Sequence, residues 1–79
     1  MHPKAKAQQI IDLAQGHVEK ASMRDSAQLC VDDARACFAR GLYEYAIGRA
    51  VKSLAYSIGV FSPLYQAASA FDKTGLNRV

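Results

Sequence analysis

The side chains with the chemistry to act are few: the thiols of Cys30 and Cys37, the imidazoles of His2 and His17, the adjacent acids Asp32 and Asp33, and a row made of Tyr45, Arg49, Lys52 and Tyr56. A structural zinc site normally takes four ligands with short C-x-x-C or H-x-x-x-H spacings. His17, Cys30 and Cys37 make three, none closely paired, so neither a metal nor a cofactor is expected. The two cysteines are seven residues apart, about 10 Å along a helix at ~1.5 Å per residue, too far for a disulfide. They read as reduced, buried thiols, in keeping with a reducing compartment, and a thiol in a helix interior without an adjacent base is inert. Asp32 and Asp33 are neighbours in sequence and point in different directions on a helix, which argues against a paired acid and base. Their expected role is solvation. Asp25 and Glu44 suit the positive ends of helix dipoles. No catalysis is expected.

The row is different. Tyr45, Arg49, Lys52 and Tyr56 fall at i, i+4, i+7 and i+11, so at ~100° per residue their directions lie within about 60° of one another. Aromatic rings and guanidinium groups are the usual anchors of protein interfaces. These four residues are therefore the candidate partner-binding face, suited to an acidic, apolar-spotted protein surface. A plainer reading packs both tyrosines against another helix of the same bundle, with the Arg49 and Lys52 stems laid over apolar neighbours. A third uses the row to stack on bases and pair with phosphates.

The row needs a scaffold. Seventy-nine residues make one domain, small enough to bury only about 60% of the surface its unfolded chain exposes. Half the residues are apolar and 22% are charged, the composition of a folded chain and not a disordered one. Ten basic residues against seven acidic give +3, spread along the chain and not gathered in a patch. That favours an acidic protein partner and leaves nucleic acid as the alternative. No apolar run approaches the ~20 residues of a membrane span, and Met1 to Lys6 leads into no apolar signal core, so no membrane is involved and the expected location is cytoplasmic.

Hydrophobic spacing supplies four helices and no β-type alternation. The first is expected from Pro3 to Ala21, with Ala7, Ile10, Ile11, Ala14, His17, Val18 and Ala21 inward. Ser22, followed by Asp25, resembles a capping arrangement for the second. Its stripe is Met23, Ala27, Cys30, Val31, Ala34, Cys37 and Phe38, and Gly41 supplies a left-handed stop. The third runs from Leu42 to Ile58 and turns Tyr43, Ile47, Ala50, Val51, Leu54 and Ile58 to the core. Ser62 as N-cap and Pro63 at the first helical position open a short fourth, to about Asp72, with Leu64, Ala67, Ala68 and Phe71 inward. The fold class is all-α: a small up-and-down bundle of three long helices and a short C-terminal one. A thin core would make a homodimer a way of burying more surface.

Phe38, Gly41, Tyr43, Ala46-Ile47 and Leu54 resemble a single tetratricopeptide helix pair, which implies a helical hairpin. Cys30, Asp33, Ala34, Ser53 and Ile58 stand where that family usually shows tryptophan, leucine, glycine, alanine and proline. One unit is present, whereas a solenoid takes about three. The stretch Asp32-Asp33-Ala34-Arg35, Gly41, Tyr43, Ala46, Ser53-Leu54-Ala55-Tyr56 and Gly59 is similar to HEPN-type bundles and to small archaeal helical proteins. Catalytic HEPN members carry an arginine shortly followed by a histidine. Here His2 and His17 precede every arginine, so the resemblance implies a non-catalytic binding or accessory domain. The expected function is an adaptor or inhibitor that binds another protein, of the kind a phage or mobile element carries as an accessory factor, with a nucleic-acid-associated helical protein as the alternative.

Overall fold

The computed structural model describes residues 3–75; His2 lies outside the described residues. It is all-α, with α1 (Pro3–Val18), α2 (Arg24–Ala39), α3 (Tyr43–Ile58) and α4 (Pro63–Ser69). Each long helix has 16 residues, about 24 Å at ~1.5 Å per residue. The longest dimension of the molecule is 30 Å, so the three lie side by side. They alternate in direction: the Gln15 and Gln28 amides pair across α1 and α2, and Ser53 near the end of α3 meets Ala27 near the start of α2.

The turn between α2 and α3 is set by Gly41, whose φ of +79° is the left-handed conformation that glycine adopts without Cβ strain. The Leu42 N–H donates to the Cys37 carbonyl at 2.9 Å and the Gly41 N–H to that of Phe38 at 3.0 Å. This is the double bond of a Schellman motif, which satisfies carbonyls that α2 would leave free. Leu42 is also the N-cap of α3, its carbonyl accepting from the Ala46 N–H at 2.9 Å. One residue thus ends one helix and starts the next, and the Phe38 and Tyr43 rings meet edge-on at 5.2 Å beside it.

From this turn α2 and α3 run closely together, because α2 buries only Ala27, Cys30, Val31 and Ala34. The Ser53 hydroxyl, fully buried, reaches the α2 backbone and donates to the Ala27 carbonyl at 2.8 Å. So short a side chain can do this only where the helices nearly touch. α3 packs against α1, α2 and α4, and with neighbours on three sides it buries Ala46, Gly48 and Ser53 in addition to the expected Ile47, Ala50, Val51 and Leu54. Tyr43 and Ile58, expected inward, are half-buried at its ends, as are His17 and Ala21 of the first segment and Cys37 and Phe38 of the second.

Several local expectations are corrected. α1 stops at Val18, three residues short of Ala21, where the Lys20 and Ala21 N–H groups bond back to the His17 and Val18 carbonyls in tight turns. The N-cap of α2 is Met23 and not Ser22, and no side chain caps that end. Met23 precedes the first helical turn, so it leaves the inward stripe and is exposed. Ser62 is the N-cap of α4 and Pro63 its first residue, with no side-chain cap bond. α4 ends at Ser69 and not Asp72: the Phe71 and Asp72 N–H groups bond three residues back, and the Asp72 carboxylate then accepts from the Thr74 N–H and hydroxyl.

The largest correction is the face of α4. It buries Tyr65 and Ala68, while Leu64 and Phe71 are 37% and 38% exposed and Ala67 is exposed. The helix is rotated from its expected setting by the turn before it, where Gly59 takes φ 87° and ψ 155°, a region essentially reserved to glycine.

Two predictions follow from these packing constraints. Ser53→Ala removes one buried hydrogen bond and should cost about 1 kcal/mol, whereas Ser53→Leu forces the helices apart and should cost ~1–3 kcal/mol, both read from urea unfolding curves. No atom lies within 4 Å of where a Cβ on Gly59 would sit, so Gly59→Ala should cost ~1–3 kcal/mol from backbone strain alone and lower the melting temperature without changing the helix signal of the folded protein.

Candidate functional site

The four residues of the aromatic–basic row project from the side of α3 opposite its buried Ile47 and Leu54. Tyr45 is 51% exposed, Arg49 and Lys52 are half-buried, and Tyr56 is half-buried with its ring against the core. The structure therefore separates the two tyrosines: Tyr56 anchors the row in the bundle and Tyr45 stands out from it.

The register of the hairpin brings part of α2 to this row. Lys52 and Arg49 lie within electrostatic reach of the Cys30 thiol, as does Asp33 one turn along α2. Burial pushes that thiol above its ordinary range; Lys52 draws it back down, Asp33 pushes it up and Arg49 draws it down, with burial prevailing. Burial thus outweighs the cations, and Cys30 is a packing residue within reach of two positive head groups, not an activated nucleophile. Leu29, next to Cys30, is 64% exposed. The face is then wider than the row: Leu29 and Asp33 on α2, Tyr45, Arg49 and Lys52 on α3, with Cys30 as its floor. Neither Arg49 nor Lys52 is held in an ion pair among the described residues, so both charges are available to a partner.

The remaining chemistry-bearing residues are dispersed or structurally engaged. Asp32 accepts from the Gln28 amide at 2.9 Å, and Gln28 is itself tied to Gln15. Asp32 thus braces the α1–α2 contact, apart from Asp33 on the α3 side. Both cysteines are free thiols, Cys30 buried and Cys37 half-buried. Among the described residues no three of His, Cys, Asp and Glu gather as a metal ion would require, and no helix is long and apolar enough to cross a membrane. An open cleft of about 390 Å³ lies at one end of the bundle, lined by Lys6, Glu44, Ile47, Phe71 and Lys73 among others. One of its two lysines is already engaged: the Lys6 ammonium sits 4.2 Å from the centre of the Phe71 ring and donates to the Gln9 amide oxygen at 2.7 Å. No hydroxyl, imidazole or thiol side chain lines the cleft.

One feature of the surface was not read from the sequence. Val60 and Phe61, in the turn between α3 and α4, are both exposed, Phe61 to 91%. The signal was present: an apolar residue just before an N-cap packs on the fourth helical residue when that residue is apolar, and here it is Gln66. No family model, characterised protein or solved structure matches this chain.

The electrostatic arrangement around Cys30 is open to chemical labelling. Iodoacetamide should modify the half-buried Cys37 before the buried Cys30. Replacing both cations, Arg49→Gln with Lys52→Gln, should push the Cys30 thiol further up and slow its alkylation at mildly alkaline pH, because the thiolate is the reacting form. Since the folded thiol is raised, its contribution to stability is complete below the ordinary thiol range and is lost as pH rises through the folded value, which a pH series of unfolding curves would read.

Proposed function

We propose that this protein is a small non-catalytic interaction module that docks on an acidic, apolar-spotted protein surface through the outer face of α2 and α3. One observation carries the reading: Arg49 and Lys52, free of ion pairs among the described residues, stand between the exposed Tyr45 and the anchored Tyr56, beside the exposed Leu29. Cations spaced by aromatic and aliphatic side chains give a partner both charges to pair with and area to bury. Because their stems are half-buried, less side-chain freedom is lost on binding than for two fully solvated chains. Both an adaptor and an inhibitor, such as an accessory factor of a phage or mobile element, would use the face in this way.

The test is affinity capture with the wild-type protein and with Tyr45→Ala combined with Arg49→Glu. Both positions are on the outer face, so folding should persist by circular dichroism, and loss of such anchors should weaken partner binding by about 30-fold or more, ~2 kcal/mol. An unchanged set of captured proteins would overturn the reading. Titration against duplex DNA and single-stranded RNA decides the alternative: a nucleic-acid binder loses affinity steeply with salt as counterions are released, and this reading expects no such binding.

A further inference from the structure

We propose that α4 is a strap hinged at Gly59, which lifts from the bundle as one unit and uncovers Ile10, Leu13 and Ile47 while α1, α2 and α3 stay folded.

The first observation is where the packing lies. The hydrogen bonds that tie the long helices to one another, Ser53 to Ala27 and Gln15 to Gln28, join α1, α2 and α3, and the largest fully buried apolar side chains, Ile11, Val31, Val51 and Leu54, come from the same three helices. α4 buries Tyr65 and Ala68, and neither is completely covered. With seven residues it is far shorter than the ~12–15 that a helix needs to persist by itself in water. It is therefore helical only while docked, and the three-helix core does not depend on it.

The second is how it is docked. α4 packs on α3, but on its α1 side a groove of about 270 Å³ runs between Ile10 and Leu13 of α1 and Leu64, Ala67 and Ala68 of α4. That side lacks the close packing of an interior. Beyond the helix, the larger cleft opens between Ile47 and the Ala70–Phe71 segment. The Lys6 ammonium over the Phe71 ring bridges from α1, and such a contact is weak at the surface. Val60 and Phe61, which lead from α3 into α4, are exposed, so their side chains do not hold the connection down.

The third is the hinge. Gly59 closes α3 at φ 87° and ψ 155°, and a Cβ placed there would meet no atom within 4 Å. Glycine leaves this conformation for the ordinary ones without a Cβ clash, and the space around it is open. A swing of α4 thus needs rotation at one residue and no rearrangement of the core. Few buried apolar contacts, a short helix and a free hinge are the marks of a segment that opens well below the free energy of global unfolding. Arg49 and Lys52 belong to α3, which stays folded, so this device is independent of the reading of the α2–α3 face.

Amide hydrogen exchange on the full chain, followed by NMR over a series of low urea concentrations, is the test. The Gln66, Ala67, Ala68, Ser69 and Ala70 amides should share one protection, ~100-fold or more below that of the central amides of α1, α2 and α3, and should lose it together as urea rises. Ser53→Ala breaks a bond that survives when α4 alone opens. It should speed exchange of the most protected α1–α3 amides by about 5-fold and leave the α4 amides unchanged. Tyr65→Ala should strip protection from α4 and raise the binding of an apolar dye, while the chain keeps a cooperative thermal transition. Exchange of the α4 amides in step with the rest, with the same response to Ser53→Ala, makes α4 part of a single folding unit and overturns the proposal. Graded α4 protection without urea dependence is fraying of a helix end and overturns it too, as does a Tyr65→Ala chain that unfolds throughout.

Discussion

The close antiparallel contact of α2 and α3 is the constraint on which the rest of this molecule depends. It begins at Gly41, where a left-handed residue lets the Leu42 and Gly41 N–H groups close on the Cys37 and Phe38 carbonyls while Leu42 opens the next helix. A turn this short leaves little freedom in how the helices slide past one another. The far end is fixed by the Ser53 hydroxyl on the Ala27 carbonyl, a bond that forms only at one register and one separation. Between these ends lie small side chains, so the contact gains from proximity and dispersion more than from the burial of large residues.

That register also decides the surface. Arg49 and Lys52 stand beside Cys30 because Ser53 stands on Ala27; a shift of one residue along α3 would turn both cations some 100° away. Burial of Cys30 raises its thiol above the ordinary range in spite of these two cations. The outer face of α2 and α3 and the groove between α1 and α4 are chemically unlike: one sets cations among rings, the other is walled mainly by apolar side chains, with Lys6 folded over Phe71.

How legible this was varies from element to element. The three long helices follow from hydrophobic spacing, and their cores at Ile10, Ile11, Val31, Ile47, Val51 and Leu54 are where the periodicity puts them. Their ends were less so. Ser22 has the chemistry of a cap, but the helix begins after Met23 and no side chain caps it; a cap signal states a local preference that the packing of the whole segment can outweigh. The α3 row was legible as a direction on one helix. That Tyr56 is anchored and Tyr45 free was not, because both have the same amphipathic side chain and differ only in what lies beside them.

The sequence by itself determined the class of the fold, the number of helices, the Gly41 turn and the composition of the aromatic–basic row, since each depends on residues close together in the chain. Only the tertiary structure decided that Cys30 and Asp33 join the row, that Ser53 is a core residue with a partner on another helix, and that α4 buries Tyr65 beside the expected Ala68 while Leu64, Ala67 and, past the end of the helix, Phe71 are left at the surface. The physical reason is common to all three. Periodicity shows that a helix has an apolar side, whereas the rotation of a short helix and the register of a helix pair are set by the turn geometry at Gly59 and Gly41 and by contacts between residues far apart in sequence.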